Sequence, residues 1–143
     1  MTKKGKSYKG RRCAEKTNKE YRYMQADMYN LYPAIGSVNA SRSNYNFVVL
    51  GDIKNSFGSC GLKIADRKVE PPVSSRGMIA RAYLYMDATY KSFKMSRQQN
   101  QLMNAWNNRY PVEQWECERT ERIKEIQGNN NVVVRKNCQA AGF

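Results

Sequence analysis

The chain has 143 residues, with 25 Lys plus Arg, 12 Asp plus Glu and no His, which gives a formal net charge of +13. Without an imidazole, the chain alone cannot build a Ser-His-Asp or Cys-His nucleophile, a His-ligated metal site or a His general base. Its uninterrupted apolar runs, such as Phe47 to Leu50, are far shorter than the roughly 20 residues of a membrane helix. We therefore expect one folded domain and no membrane partner.

The bulky side chains predict a small core. Leu, Ile, Val and Phe make up only 24 of the 143 residues, a share that at this net charge is typical of disordered chains. Ten Tyr, seven Met and two Trp supply further packing surface, and the polar tips of Tyr and Trp can reach water while their rings are buried. We expect a globule with a basic surface.

The first segment is strongly basic. Residues 1–22 carry nine of the 25 basic residues against Glu15 and Glu20, a pattern that favours contact with nucleic-acid phosphates. A solvated, disordered tail is the alternative prediction for the same segment. We assign residues 1–12 to a basic N-terminal arm and residues 13–143 to the folded domain.

The next segment predicts a short helix followed by a strand. Residues 32–36, Tyr-Pro-Ala-Ile-Gly, indicate a helix start, because proline is tolerated at the first helical position, and Asn39 would lie on that helix. Turn-forming residues 41–44 would end it. Asn46 to Leu50 then predict a strand or a buried extended run.

A loop-rich middle leads into the first long helix. Leu62 to Ile64 form a second candidate strand, and Pro71-Pro72 excludes regular structure at that point. From about Arg76 to Tyr90, apolar residues recur at steps of three and four, which predicts an amphipathic helix. The residues of this apolar face are Ile79, Ala82, Tyr83, Met86 and Tyr90.

Two more helices are predicted in the last third of the chain. Ser96 has the side chain of an N-cap, and the helix it begins would end before Pro111. Its apolar stripe consists of Leu102, Met103 and Trp106. A further helix is expected from about Pro111 to Gln127, with Gly128 as its stop. These elements predict an α+β fold that is predominantly helical with few short strands.

The four cysteines leave two readings open. None of them stands in C-x-x-C spacing, which argues against a metal finger. In an oxidising compartment we expect two disulfides, with three pairings possible, and in a reducing one four free thiols. The cysteines are Cys13, Cys60, Cys117 and Cys138.

On the residues alone, nucleic-acid binding is favoured over catalysis. Phosphodiester hydrolysis needs an activated water and a cation that holds the developing phosphate charge, and this chain plainly supplies only cationic groups. The candidate oxygen ligands for a hard metal show no ligand spacing; they are Asp27, Asn39, Asp52 and Glu70. Arg76 and Arg81 could face a phosphate backbone or be ordinary solvated helix charges.

Residues 24–45, MQADMYNLYPAIGSVNASRSNY, closely resemble the corresponding region of bacterial endonuclease I. Further matches follow in order, and the resemblance covers about residues 10–139. They are Glu70-Pro71-Pro72, Arg76-Gly77-Met78-Ile79-Ala80-Arg81, Ser96-Arg97-Gln98-Gln99, Asn104-Ala105-Trp106, Trp115-Glu116-Cys117-Glu118-Arg119 and Ile126-Gln127-Gly128-Asn129.

The resemblance implies a function and a fold. That family comprises periplasmic or secreted, Mg²⁺-dependent nucleases without sequence specificity, which act on DNA and, as an alternative, on RNA. It implies a partial ββα-metal core, similar to a His-Me finger, in which Asn39 corresponds to the metal-holding Asn. Arg11, or else Arg12, corresponds to the Arg that steadies the phosphate. We add Lys9 and the remaining candidate arginines as nucleic-acid contacts; these are Arg42, Arg76 and Arg81.

The departures from the family lower the expected activity. The strand with the metal-binding Glu and the general-base His would lie upstream of Met1, and losing a general base typically costs about 10²- to 10⁴-fold in rate. Within the matched block, four residues replace the usual Glu, His, Glu and Gly; they are Gln25, Tyr29, Ser37 and Ala40. We expect weak or absent hydrolysis, with Asp27 or Glu15 as candidate substitute ligands.

Two alternatives to a weakly active nuclease are predicted, together with a cellular location. The chain could be a non-catalytic DNA-binding remnant, or it could fail to fold stably because part of the motif is missing. The resemblance implies a monomer in the periplasm or outside the cell. As the chain stands it shows no signal peptide, so a cytoplasmic location is expected if it is expressed as given.

Overall fold

The computed structural model describes residues 10–143 in full and the strands Thr2–Lys3 and Lys6–Ser7 as backbone. The helices of this described part are α1 (Gly10–Thr17), α2 (Lys19–Ala26), α3 (Gly36–Arg42), α4 (Val73–Thr89), α5 (Arg97–Arg109), α6 (Gln114–Gln127) and α7 (Val132–Ala141). The strands are β1 (Thr2–Lys3), β2 (Lys6–Ser7), β3 (Asn46–Phe47), β4 (Lys63–Ala65) and β5 (Lys68–Glu70). The α+β, mainly helical class is therefore confirmed.

Helix α4 is the centre of the molecule. It begins directly after Pro72, three residues earlier than predicted, because proline can precede a helix without losing a hydrogen bond. Its buried residues lie all around the helix, since α5 and α7 both pack against it. The predicted apolar face was therefore only part of the core. Ala80 and Tyr85, outside that face, are completely buried.

One glycine allows a close approach to α4. A Cβ atom on Gly77 would lie 2.5 Å from the carbonyl oxygen of Tyr110. Because that oxygen belongs to the backbone, it cannot move aside as a flexible side chain would. Gly77 thus lets the turn after α5 lie directly on α4.

A small sheet covers one side of α4. Strand β5 lies in the middle, parallel to β3 and antiparallel to β4. Val69 on β5 is fully buried and packs with Phe47, Ala80, Met103 and Trp106 in the main core. This sheet supports the segment that carries α3.

The strand predicted over residues 46–50 is shorter than expected. Regular pairing is limited to Asn46 and Phe47, and then the Val48 amide still donates to the carbonyl of Val69. The next contact is different, because the Leu50 amide donates to the Glu70 carboxylate at 2.6 Å. The chain therefore leaves the sheet after two residues.

The capping predictions for α5 and α6 are confirmed at three of the four ends. The Ser96 hydroxyl accepts a hydrogen bond from the Gln99 amide, and α5 ends at Arg109, before Pro111. Gly128 ends α6 with a φ of 80°, a conformation that glycine adopts without strain. The fourth end differs, because α6 begins at Gln114 rather than at Pro111.

Three helices were not predicted. Helix α1 and the first half of α2 lie within residues 1–22, which were predicted to contact phosphates or to form a tail, and neither helix buries a residue completely. A helix without a buried stripe gives no apolar periodicity to recognise. Helix α7 is capped by Asn131, whose side chain accepts from the Val134 amide.

The cysteines form one disulfide rather than two. Cys117 on α6 is bonded to Cys138 on α7, which joins the last two helices. Cys13 is a half-buried free thiol and Cys60 an exposed one, so the second expected pair is absent from the described part of the chain. Among residues 10–143, no helix is long and apolar enough to cross a membrane.

Candidate nucleic-acid interface

A groove of about 330 Å³ lies between α3, α4 and the edge of the sheet. Its walls are mostly apolar, and Asn30, Asn39, Arg42 and Ser75 supply polar side chains. Its apolar lining includes Tyr32, Val38, Phe47, Leu62, Met78, Ile79 and Tyr83. A mainly apolar concavity with a few polar groups is typical of a binding site.

Asn39 lies on α3, as predicted, although this helix starts later than expected. Helix α3 begins at Gly36 and leaves Pro33 outside, because Ile35 has an extended backbone and takes the N-cap position. Asn39 is exposed, and its side-chain amide has no hydrogen-bond partner among residues 10–143. The amide oxygen is thus available to a ligand.

Arg42 follows Asn39 on the same helix and lines the same groove. Its Nη2 donates to the Tyr83 hydroxyl at 3.3 Å, and its guanidinium carbon lies 4.6 Å from the centre of the Phe47 ring. Its Nε is buried without a hydrogen-bond partner. Within the described part of the chain, no carboxylate lies within 4 Å of this guanidinium. Arg42 is therefore a cation held in place by neutral groups.

The surroundings of Asn39 and Arg42 depend on the buried Tyr83 and on Arg119 from α6. Burial raises the pKa of the Tyr83 phenol, so Tyr83 stays neutral beside Arg42. Arg119 donates to the backbone carbonyls of Met28 and Leu31, both at 2.7 Å, and stacks on the Tyr32 ring at 4.2 Å. Arg119 thus fixes the loop that leads into α3, a role that its sequence position did not reveal.

Arg76 lies away from this groove. Its Nη2 donates to the Glu70 carboxylate at 2.6 Å, and its Nη1 donates to the Tyr110 hydroxyl at 3.3 Å. Its Nε donates to the carbonyl of Pro71. Arg76 therefore serves as an internal connection between β5, α4 and the turn after α5.

Arg81 is not available to DNA in this structure, which corrects its assignment as a nucleic-acid contact. It is 2% exposed, and its Nε and Nη2 both donate to the Glu116 carboxylate, at 2.8 and 2.7 Å. Its Nη1 donates to the Tyr110 carbonyl. Because each of its three nitrogens already donates to one of these partners and only 2% of the residue is exposed, the Arg81 guanidinium cannot reach a phosphate in this structure.

The arginines expected to steady the phosphate lie at the start of α1. Arg11 and Arg12 are both exposed, and neither has a carboxylate within 4 Å in the part of the chain that the structure describes. Neither of them lines the groove of Asn39 and Arg42. Lys9 lies outside the described residues.

The other oxygen-ligand candidates do not gather around Asn39. The buried Glu70 carboxylate accepts hydrogen bonds from the Leu50 amide and from Arg76, and the Lys63 Nζ lies 3.7 Å from it. The groove lining contains no Asp or Glu, and residues 10–143 contain no group of three or more Cys, Asp or Glu side chains that could hold a metal ion. Because Mg²⁺ is normally held by at least one carboxylate, Asn39 and its neighbours do not fit a Mg²⁺ site by themselves.

Asp27 is the centre of a buried polar network instead of a metal ligand. Its carboxylate accepts hydrogen bonds from the Tyr85 hydroxyl at 2.7 Å, the Tyr90 hydroxyl at 2.6 Å and the Gln127 amide at 3.0 Å. The Tyr29 backbone amide donates as well. Burial raises the pKa values of the two phenols, which therefore remain proton donors. Asp27 ties the end of α2 to α4 and α6.

Residues 7–138 match the family model of Endonuclease I, and the chain belongs to this family. It is 43% identical to an extracellular deoxyribonuclease of Aeromonas hydrophila over 91% of this chain and 57% of that protein. It is 44% identical to a periplasmic deoxyribonuclease of the same organism, over 84% and 52%. It is also 39% identical to Endonuclease-1 of Buchnera aphidicola, over 90% and 51%. The chain thus spans little more than half the length of these relatives.

Proposed function

We propose that this chain is a DNA-binding nuclease domain whose Asn39 and Arg42 face the phosphodiester backbone. The observation that carries the proposal is the groove in which both side chains lie, where the Asn39 side-chain amide has no hydrogen-bond partner and the Arg42 guanidinium no carboxylate among residues 10–143. A phosphate offers the acceptor oxygens that such a guanidinium lacks. The names of the relatives, which are deoxyribonucleases, support DNA as the substrate.

The expected hydrolytic activity of this polypeptide on its own is low. It has no His to act as a general base, and no carboxylate lines the groove beside Asn39. Losing the base alone costs about 10²- to 10⁴-fold in rate. Asn39 remains the residue we assign to the metal of the family, and Arg11, with Arg12 as the alternative, the one we assign to the phosphate.

Binding without hydrolysis is the second candidate function. The net charge of +13 favours it, because contacts between cations and phosphates bind nucleic acid whatever its sequence. In that case Arg42 and the exposed basic residues would hold DNA, with RNA as the alternative, and Asn39 would have no catalytic role. We expect a monomer in either case, acting outside the cytoplasm as the named relatives do.

Nicking of supercoiled plasmid separates the two functions. The purified chain is incubated with plasmid in Mg²⁺ or in EDTA, beside the variants Asn39→Ala and Asn108→Ala. Asn108 is exposed on α5 and outside the groove, so it is a matched control. Slow nicking that requires Mg²⁺ and disappears only in Asn39→Ala supports the nuclease. Binding without nicking leaves the second candidate, and nicking that is indifferent to Asn39 contradicts the assignment of Asn39.

A further inference from the structure

Helices α1 and α2 form a hairpin on the surface of the protein. The Asn18 side chain caps α2 by accepting from the Tyr21 amide, and the Arg22 guanidinium donates to the backbone carbonyl of Glu15. Neither helix contains a completely buried residue. The hairpin therefore contributes less to the core than α4, α5, α6 and α7, each of which has buried residues.

The exposed side of the hairpin is basic. Its cations outnumber its two acids, Glu15 and Glu20; they are Arg11, Arg12, Lys16, Lys19 and Arg22. Lys19 and Arg22 lie one helical turn apart on α2 and both are exposed. Neither has a carboxylate within 4 Å among the described residues.

Glu20 is used to attach the hairpin rather than to neutralise it. Its carboxylate accepts from the backbone amides of Lys91 and Ser92, both at 2.9 Å, and from the Ser92 hydroxyl. The Ser92 hydrogen bond is the main cause that lowers the pKa of Glu20. The same contact brings exposed Lys91, in the turn after α4, next to the hairpin.

Helix α6 shows the opposite arrangement of charge. Lys124 lies 3.2 Å from Glu121, Arg135 of α7 lies 3.3 Å from the same carboxylate, and Arg122 lies 4.0 Å from Glu118. Cations that stand beside acids attract a polyanion much less than isolated cations do. The hairpin thus carries more cations than acids, whereas Arg122 and Lys124 of α6 are paired with acids.

We propose that the α1–α2 hairpin, through Lys19 and Arg22 and together with Lys91, is a second nucleic-acid-binding surface that contacts phosphates other than the one assigned to Asn39, Arg42 and Arg11. This inference rests on the proposed function for the identity of the ligand. Nucleic acid fits better than an anionic membrane, because a membrane-bound helix inserts an apolar face. The apolar Met24 of the hairpin instead packs against the protein core beside Tyr29 and Tyr85.

The test compares two double variants with the same net charge. Lys19→Gln/Arg22→Gln removes two cations from the hairpin, and Arg122→Gln/Lys124→Gln removes two from α6. Binding of the full chain to a fluorescent 20-base-pair duplex is measured in EDTA at several KCl concentrations, so no hydrolysis is required. Circular dichroism checks that both variants fold.

The hairpin variant is expected to bind about tenfold more weakly at low salt. Its log–log slope against salt should fall by about 2, since each lost phosphate contact removes roughly 0.9. The α6 variant should change by less than about twofold. Equal losses, or none from the hairpin, would overturn the proposal, as would preferential binding to phosphatidylglycerol vesicles when duplex is present. Failure of the nicking assay would leave this result intact.

Discussion

The α4–α6 interface and the groove beside α3 each contain an arginine, and the two arginines have opposite surroundings. Arg81 at the interface is 2% exposed and gives all its donor nitrogens to Glu116 and to the Tyr110 carbonyl. Arg42 in the groove has one hydrogen bond, to a neutral phenol, and a buried Nε without a partner. Arg81 thus has its counter-ion within the folded protein, whereas Arg42 has no carboxylate partner among residues 10–143.

This difference separates a role in folding from a role in binding. A buried charge must be paired, because an unpaired one loses its hydration without compensation. Breaking the Arg81 pair should therefore destabilise the folded protein, whereas removing Arg42 should mainly weaken DNA binding.

The largest effect is expected for Glu116→Leu. This change leaves the Arg81 guanidinium buried without its carboxylate, and breaking such a pair costs about 3–5 kcal/mol of stability. Urea unfolding of the variant gives the free energy of unfolding. The double variant Arg81→Met/Glu116→Leu removes both charges and should recover most of the loss. A single variant as stable as the unmodified protein would contradict the prediction.

Reduction of the Cys117–Cys138 disulfide should have the next largest effect. The bond closes a loop with a sequence separation of 21, and opening such a loop costs about 3 kcal/mol in the chain-entropy account. The melting temperature of the double variant Cys117→Ser/Cys138→Ser should fall accordingly. Cys13→Ser and Cys60→Ser serve as controls and should melt at the original temperature, because both thiols are free.

Tyr85→Phe should cost about 1–3 kcal/mol, because it removes a hydrogen bond from the buried Asp27 carboxylate. The change should also alter the pH dependence of stability. Burial raises the pKa of Tyr85 in the folded protein above its unfolded value of about 10. The contribution of Tyr85 to stability is therefore complete below pH about 10. It is lost as the pH rises further, because the unfolded chain loses this proton first. Thermal melts between pH 8 and pH 11 should therefore decline less steeply for the variant. A steeper decline would contradict this sign.

Arg42→Ala should have the smallest effect on stability, within about 1 kcal/mol, because only one neutral hydrogen bond and one ring contact are lost. Its affinity for duplex DNA should nevertheless fall several-fold. Arg76→Ala provides the contrast, since it leaves the buried Glu70 carboxylate without its closest cation. That variant should lose more stability than Arg42→Ala. A larger loss of stability in Arg42→Ala than in Arg76→Ala would contradict the assignment of Arg42 to binding and of Arg76 to the fold.

Local signals in the sequence predicted the later helices well. Ser96 and Gly128 have side chains suited to one position at a helix end, so they placed two ends of α5 and α6 correctly. The start of α3 was wrong, because proline also fits the extended segment that precedes a helix. Helices α1 and α2 were missed because their attachment depends on contacts far along the chain, such as Glu20 with residues 91–92.

The candidate site was harder to predict because arginines with different roles look alike in a sequence. Arg81 and Arg76 stand in a motif that resembles the nuclease family, yet their partners Glu116 and Glu70 give both of them internal roles. Which arginine has a carboxylate partner depends on tertiary packing and not on spacing along the chain. Asn39 was placed correctly on its helix, but the groove around it is formed by residues up to 44 positions away.

Mapping the contact surface by NMR tests the central claim most directly. A 12-base-pair duplex is titrated into the ¹⁵N-labelled chain in EDTA, and the amide and side-chain shifts are followed. We expect the largest changes on α3, around Asn39 and Arg42, and on the α1–α2 hairpin, with α6 little affected. Largest changes on α6 and α7, or none on α3, would contradict the division between arginines that hold the fold and an arginine that binds DNA.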